Sequence, residues 1–365
     1  MTSRERQVLE LIRRNPMVSQ AEIAAELGIS RSAVAGHIMK LTSRGVIRGR
    51  AYVIDESPYA VAIGGANIDI CGAAERSLRM RDSNPGQVGV SPGGVARNVA
   101  ENLARLGARC SLVAAVGGDH HGDLLVNQGR AAGIDMRPVL RLEGAATSTY
   151  LSILDDGGDM LCAVNDMGIV DEIRPEQLER HAPLLGGASV VIADTNLREE
   201  TLSAAASAAG GAFFVDTVSA AKAERILDCL DRVHTLKASR IEVGALCGIE
   251  SPTRRQLPRI ARELHAQGVR RLFVTLGTDG VFYSDGARHG FEAAAAPADG
   301  VINANGAGDA FVAGLSFAWL GGWSLERTLA FSLAAAGVAL SHAATINPAM
   351  SLDLVNERCE QAHAA

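Results

Sequence analysis

From Tyr59 onward the chain repeats one rhythm: a short apolar run, then a stretch of helical periodicity, then another apolar run. "YAVAIGG", "CSLVAAVGG", "ASVVIAD", "GAFFVDT", "RVHTL" and "RRLFVTLG" have strand length and strand composition, while "GVARNVAENLARLG" and "HGDLLVNQGRAAG" have helical spacing. The rhythm implies an α/β fold, a mostly parallel sheet with helices on both faces. Ligands of such sheets lie at the carboxyl ends of the strands. One stretch breaks the rhythm. "TSTYLSILDDGGDMLCAVND" (147–166) alternates around a Gly-Gly turn and reads as a β-hairpin. With part of 68–92 it is expected to form a small β-lid over the site.

A length of 365 residues suggests two domains, and the charge distribution suggests where they divide. Residues 1–58 hold nine Lys/Arg and six Asp/Glu, a net of +3; the remainder holds 26 and 35, a net of −9. A basic head on an acidic body implies that only the head meets nucleic acid. The expected division is a small domain at 1–56 and a larger one at 59–360, with Pro58 in the linker. No run of about 18 apolar residues is present, so no membrane span is expected. The opening "MTSRERQVLE" lacks the apolar core of a signal peptide, so a cytoplasmic location is expected. The six cysteines are scattered without a C-x-x-C pair, which argues against a zinc site or a disulfide framework.

In the head, "TSRERQVLELIRRNP" offers Thr2 or Ser3 as a cap and stops at Asn15–Pro16. "SQAEIAAELGIS" has Ser19 as cap and Gly28 at the turn, and "RSAVAGHIMKLTSRG" continues as another helix. Helix, Gly-containing turn and helix make a helix-turn-helix, whose second helix reads the major groove. Arg31, Ser32, His37 and Lys40 are its expected exposed residues. "GVIRGRAYVID" then reads as a two-stranded wing that sets Arg48 and Arg50 at phosphate height. The segment resembles the winged helix-turn-helix domains of bacterial regulators. DNA binding and dimerisation are the two roles open to it.

The body carries two small-residue turns, each opening a helix. In "NANGAGDAFVAGL" (303–315), Gly306, Ala307 and Gly308 leave backbone N–H groups open to an anion, and the positive end of the helix lies behind them. Charge developing on a transferred phosphoryl group would be stabilised there. Asp309 stands where it could take a proton from a substrate hydroxyl. Taken alone, the same residues also fit a Gly-rich helix start capped by Asp. "GGVARN" (93–98) is the other turn, and "GGANIDI" (64–70) presents Asn67 and Asp69 at the end of the first strand.

These motifs, with "TLGTDGVFYS" (275–284), resemble the ribokinase-like (PfkB) family of sugar and nucleoside kinases over roughly residues 59–350. "GGANIDICG", "DSNPGQVGVSPGGVARNVAENLARLG" and "VHTLKASRIE" look like the branch that phosphorylates the 5′-hydroxyl of pseudouridine with ATP and Mg²⁺. The resemblance implies Asp309 as general base and Gly306, Ala307 and Gly308 as anion hole. It implies Asp69, Gly93, Gly94 and Asn98 at the ribose hydroxyls, with Asn67 nearby. Ser83, Asn84, Thr149, Asn165 and Asp166 would face the base from the lid. Thr275, Gly277, Gly280 and Ser239 would line the nucleotide, and Glu242 would organise Mg²⁺.

Two departures stand out. Ser239 replaces the asparagine of the family's N-x-x-E motif, which implies weaker or water-mediated contacts there. Asn303 and Asn305 stand where many relatives carry Asp and Thr. The lost Asp charge puts activation by a monovalent cation, K⁺, in doubt. The expected partners are a nucleoside, ATP, DNA and a second copy in a homodimer, with no membrane. Two alternatives stay open: a kinase for ribose or another nucleoside, and a ligand-sensing regulator with a weak or inactive kinase body.

Overall fold

The computed structural model describes residues 1–48, 53–54, 57–155, 157, 159–294, 300–303 and 305–364. The chain divides into two compact units, Met1–Pro58 and Tyr59–Ala365.

The first unit has three helices, Ser3–Arg14, Gln20–Leu27 and Arg31–Ser43, and an antiparallel pair of short strands, Ile47–Arg48 with Val53–Ile54. Each helix starts where a short polar side chain meets a bare N–H. Thr2 and Ser19 form reciprocal capping boxes with Glu5 and Glu22, and Ser30 caps the third helix. Gly28 ends the second helix in the left-handed conformation, at φ +63°. Val8, Ile12, Ile23, Val34, Leu41 and Ile47 close a small core. Beside it the buried Glu5 accepts from Arg44 at 2.9 Å. Arg31, Ser32 and Lys40 are exposed on the third helix. His37 corrects the expectation of exposure: it is half-buried, and its Nδ1 is enclosed without a partner. It lies one turn from the buried Val34 and Leu41, at the margin of the core stripe. Arg48 is exposed on the strand pair, and Arg50 lies outside the described residues.

In the second unit an eight-stranded sheet runs, from one edge, 289–292, 281–284, 271–275, 235–239, 212–216, 190–194, 59–63 and 109–113. The strands from 271–275 to 109–113 are parallel, and the two at the 289–292 edge are antiparallel. Parallel strands covered on both sides bury every residue, and 190–194 and 212–216 do so. Alternate side chains feed opposite cores. Val61, Ile63, Val191 and Val215 point to one, and Ala60, Ala62, Ile192 and Phe214 to the other. The helix Ala307–Leu320 belongs to the second core, where Phe311 meets Phe273 edge-on at 6.0 Å. Truncating either ring to Ala would cost about 3–5 kcal/mol. The helix Val95–Arg105 packs in the same core through Ala96, Val99 and Leu103. The mouths of these two helices therefore meet over one end of the sheet.

A smaller four-stranded sheet is ordered 160–166, 149–154, 67–74, 86–93. The alternating segment 147–166 is its antiparallel hairpin; Asp156 and Gly158 of its turn lie outside the described residues. The sheet has a polar and an apolar face. In register on one side stand Asp69, Ser91, Tyr150 and Asn165; on the other stand Ile70, Val90, Leu151 and Val164.

Candidate active site

The strand 59–63 is the first of its sheet in sequence, yet it lies between 109–113 and 190–194. The chain order reverses there, and the carboxyl ends on either side open a crevice. Asp194, Asp216, Ser239 and Thr275 each end a strand at this level.

Both helix mouths depend on glycine. Gly306 has φ +80°, and a Cβ on it would stand 2.0 Å from the Thr345 carbonyl oxygen. Gly94 has φ +98°, and its Cβ would stand 2.5 Å from the Gly65 carbonyl oxygen. Any other side chain would distort the turn. The first helical bond at the 306 turn runs from Ala310 N–H to the Gly306 carbonyl, at 2.9 Å. The N–H groups of Ala307, Gly308 and Asp309 precede that ladder and face outward at the positive helix end.

Asp309 is half-buried at this mouth, and Asn98 Nδ2 donates to its Oδ2 at 2.8 Å. Removal from water pushes its pKa up to about 7, and the charge of Asp216 adds to this. The Asn98 bond and Lys237 oppose the rise, and Asp194 adds a further upward push. A carboxylate that takes up its proton near neutral pH is tuned for general-base work.

Three charged residues at the strand ends were not singled out from the sequence. Lys237 is buried, donates to Asp216 at 3.0 and 3.2 Å, and would lie 3.0 Å from a Cβ on Gly308. Its ammonium therefore sits under the Gly308 backbone. Burial alone would depress its pKa, but Asp216, Glu242 and Asp309 outweigh this and hold it above the usual lysine value. Asp216 also accepts the N–H of Val218 at 3.0 Å. Val218 has φ +56°, a strained conformation for a β-branched residue of the kind that clusters at functional sites. Asp194 accepts backbone N–H groups of Gly65, Ala96 and Asn196 at 2.8–2.9 Å, tying three loops together. The available signal was a lone Lys inside "HTLKAS" and an Asp closing the apolar runs "ASVVIAD" and "GAFFVDT", because charge inside a buried strand needs a partner.

The expected sugar-binding residues separate into groups. Asn67 donates to Asp69 at 2.6 Å, and Asp69 stands against Gly93, where a Cβ would lie 2.3 Å from its carboxylate. Burial raises the Asp69 pKa against the pull of Asn67 and Arg97. Asn165 shares the Asp69 face of the smaller sheet, whereas Thr149 and Asp166 are paired on the opposite face. Ser83 is exposed. The Asn84 amide closes its own loop, bonding to Arg79 N–H and to the carbonyls of Arg79 and Asp82. On the other side of the crevice, Thr275 ends its strand, and Gly277 and Gly280 bound a tight turn.

Ser239 has a local role: it caps the helix Arg240–Leu246 in a capping box with Glu242. Glu242 Oε2 accepts from Ser239 N–H at 2.7 Å and from Thr217 Oγ1 at 2.6 Å. Asn303 donates to the Ala343 carbonyl at 2.7 Å and accepts from Asn305 N–H at 2.9 Å.

A family model described as pfkB family carbohydrate kinase matches residues 57–352, and one described as winged helix-turn-helix DNA-binding matches residues 1–48. Pseudouridine kinase of Escherichia coli (strain K12) is 41% identical over 309 residues, 84% of this chain and 98% of that protein. The uncharacterized sugar kinase YeiI of the same organism is 38% identical over 354 residues, 97% of this chain and 98% of that one. The crystal structure of a putative sugar kinase from Clostridium perfringens matches with a TM-score of 0.74 at 31% identity, covering 84% of this chain and 97% of that chain. Arabidopsis thaliana ribokinase complexed with ribose and ATP matches with a TM-score of 0.76 at 23% identity, over 83% and 99% of the two chains, a likeness of fold. With a ribokinase-like sheet, two glycine-gated helix mouths and a family model matched over residues 57–352, this chain belongs to the pfkB family of carbohydrate kinases.

Proposed function

We propose that the body transfers the γ-phosphoryl group of ATP to the 5′-hydroxyl of pseudouridine. The observation that carries the reading is Asp309, poised near neutral pKa beside outward-facing backbone N–H groups and Lys237. The similarity to a pseudouridine kinase along the body supports the choice of nucleoside.

In this reading Asp309 accepts the hydroxyl proton as the 5′-oxygen attacks the γ-phosphorus, and the bond to the ADP oxygen breaks. The N–H groups of Ala307, Gly308 and Asp309 receive the equatorial oxygens, and Lys237 supplies positive charge beneath them. Asp69, Asn67, Gly93, Gly94 and Asn98 hold the ribose. From the smaller sheet, acting as a lid, Asn165 is the residue best placed to reach the base. Thr275, Gly277, Gly280 and Ser239 line the nucleotide.

Magnesium arriving with ATP neutralises phosphate charge and keeps several of its waters, so it needs few protein carboxylates. The residues present fit that requirement. Among the described residues no group of three or more His, Cys, Asp or Glu is arranged to cage a metal. Both bonds to Glu242 fall on Oε2, so Oε1 would hold a water of the ion. The site suits K⁺ poorly, because the Asn303 amide already satisfies the Ala343 carbonyl.

The head, residues 1–56, would bind DNA through Arg31, Ser32 and Lys40, with Arg48 at the backbone, leaving 59–360 as the kinase. The apolar outer face of the lid, with Val88, Val90, Leu151 and Val164, would pair two copies in a homodimer. Among the described residues no helix is long and apolar enough to cross a membrane, and use of ATP suits a cytoplasmic enzyme.

The test is phosphate transfer from ATP to pseudouridine, uridine, adenosine and ribose. Preference for pseudouridine supports the reading. Preference for another acceptor makes the protein a kinase of different specificity, and binding without transfer makes the body a ligand sensor.

A further inference from the structure

The residue before Asn98 has no role in the reaction as written above. Arg97 lies at the start of the helix Val95–Arg105 and is 3% exposed. A long cation sealed at this depth must be held from several sides. Its Nη1 donates to the Pro92 carbonyl at 3.4 Å and to Asn98 Oδ1 at 3.2 Å, and its Nη2 donates to Glu101. Glu101 is itself held by Arg105, at 2.7 and 2.8 Å, and Arg105 is anchored on the Pro348 carbonyl at 2.8 Å. The chain of contacts ends at Asp309, because the other end of the Asn98 amide, Nδ2, donates to Asp309 Oδ2.

A carboxamide can turn over and exchange its donor for its acceptor. A flipped Asn98 would aim its carbonyl oxygen at the Asp309 carboxylate and its NH₂ at the Arg97 guanidinium, so both contacts would become repulsive. Only one rotation satisfies both neighbours. We propose that Arg97 is a positioning residue: anchored by Glu101, it locks the Asn98 amide so that a donor always meets Asp309. The role in transfer rests on the kinase reading above, but the geometry can be tested without turnover.

Asp309 is faced by Asn98 from the helix carrying Arg97, by Asp194 and Asp216 from two strand ends, and by Lys237 from a third. Of these, Asn98 and Lys237 favour the ionised form. Unlocking Asn98 should therefore raise the pH at which Asp309 gives up its proton. Arg97→Lys keeps the charge but loses the planar fork that spans Pro92, Asn98 and Glu101. Infrared difference spectroscopy, with Asp309→Asn used to assign the band of the protonated Asp309 carboxyl, reads the midpoint directly. The expected result for Arg97→Lys is a midpoint higher by about half to one pH unit, with Asn98→Ala giving at least as large a shift. In the Asn98→Ala background, Arg97→Lys should add almost nothing, because both act through one amide. In turnover, kcat at pH 6 should fall about threefold to tenfold and recover above pH 9, since one unit of pKa is a factor of ten.

An unmoved midpoint in folded Arg97→Lys, or equal shifts with and without Asn98, overturns the proposal. If Arg97→Lys does not fold, Glu101→Gln loosens the same anchor and should shift the midpoint in the same direction by less; no shift there also overturns it. A shifted midpoint in a protein that phosphorylates nothing would preserve the positioning role and remove the kinase reading.

Discussion

The end of the main sheet and the third helix of the head both carry the charges that matter to their region, but in opposite settings. At the sheet end, Lys237, Asp216 and Asp194 are buried and Asp309 is half-buried beside them, so their charges act strongly on one another. A pair at 3 Å in such a place interacts several-fold more strongly than in solvent, and removing one partner leaves the other unpaired. On Arg31–Ser43, Arg31 and Lys40 are solvated, screened by salt and nearly independent of one another. Changes at the sheet end should therefore be large and coupled, and changes in the head small and additive.

The sharpest break of that contrast would be a mild outcome at Asp309. Asp309→Asn is expected to lower kcat at least about a hundredfold with little change in nucleoside affinity. Steady-state kinetics with a binding titration check it; full activity would remove the base mechanism. Gly308→Val comes next. Its side chain would displace Lys237 Nζ and crowd the N–H groups, so kcat should fall by about tenfold to a hundredfold in a protein that circular dichroism shows to be folded. Normal turnover would place the phosphate elsewhere.

The third expectation concerns pH. The Asp309 pKa is raised, to about 7 in the free protein, so the working carboxylate is present above that value and lost as pH falls through it. Below it kcat/KM should drop about tenfold per pH unit, and Asp309→Asn should abolish this limb. A flat profile down to pH 5 would mean that the base is another group. A smaller effect is expected from monovalent ions. Exchanging potassium for a bulky organic cation at constant ionic strength should change the rate less than about tenfold, because Asn303 is uncharged and its amide already bonds the Ala343 carbonyl. Strict potassium dependence would show that other groups complete a cation site.

The smallest expected effect belongs to the head. Lys40→Ala should weaken duplex DNA binding about equally for all sequences, and should reduce the salt dependence by about one unit if the contact is to phosphate. Arg31→Ala should instead relax preference at particular bases. Fluorescence titrations at several salt concentrations separate the two. No binding at low salt would leave dimerisation as the role of the head.

Much of this architecture was legible in the residues. The rhythm of apolar runs after Tyr59 required a covered parallel sheet, since such segments can bury themselves in few other ways. The cap Ser19 and the glycines of "GVSPGGVARN" and "NANGAGD" marked helix starts, because capping and positive φ are local properties of the backbone. Asp309 was visible because its chemistry sits next to its glycines in sequence. What the local pattern did not contain was the company each charge would keep. Lys237 and Asp216 are 21 residues apart, and Asn98 and Asp309 are 211 apart. Only strand order and the packing of two helices in one core bring them within bonding distance.

The same reason explains the readings that changed. Asn165 and Asp166 are neighbours on one strand and so face opposite sides; which of them shares the Asp69 face depends on strand register, since a shift of one residue exchanges the faces. The self-bonded Asn84 loop and the half-buried His37 depend on how neighbouring chain folds over them. Thus the sequence by itself determined the fold class, the helix mouths and the place of a carboxylate at one of them, through local backbone preference and hydrophobic periodicity. The tertiary structure decided which carboxylate is raised toward neutrality, which lysine lies under the glycine turn and which arginine bonds the asparagine. Those outcomes follow from desolvation and distance, which arise only when remote segments pack together.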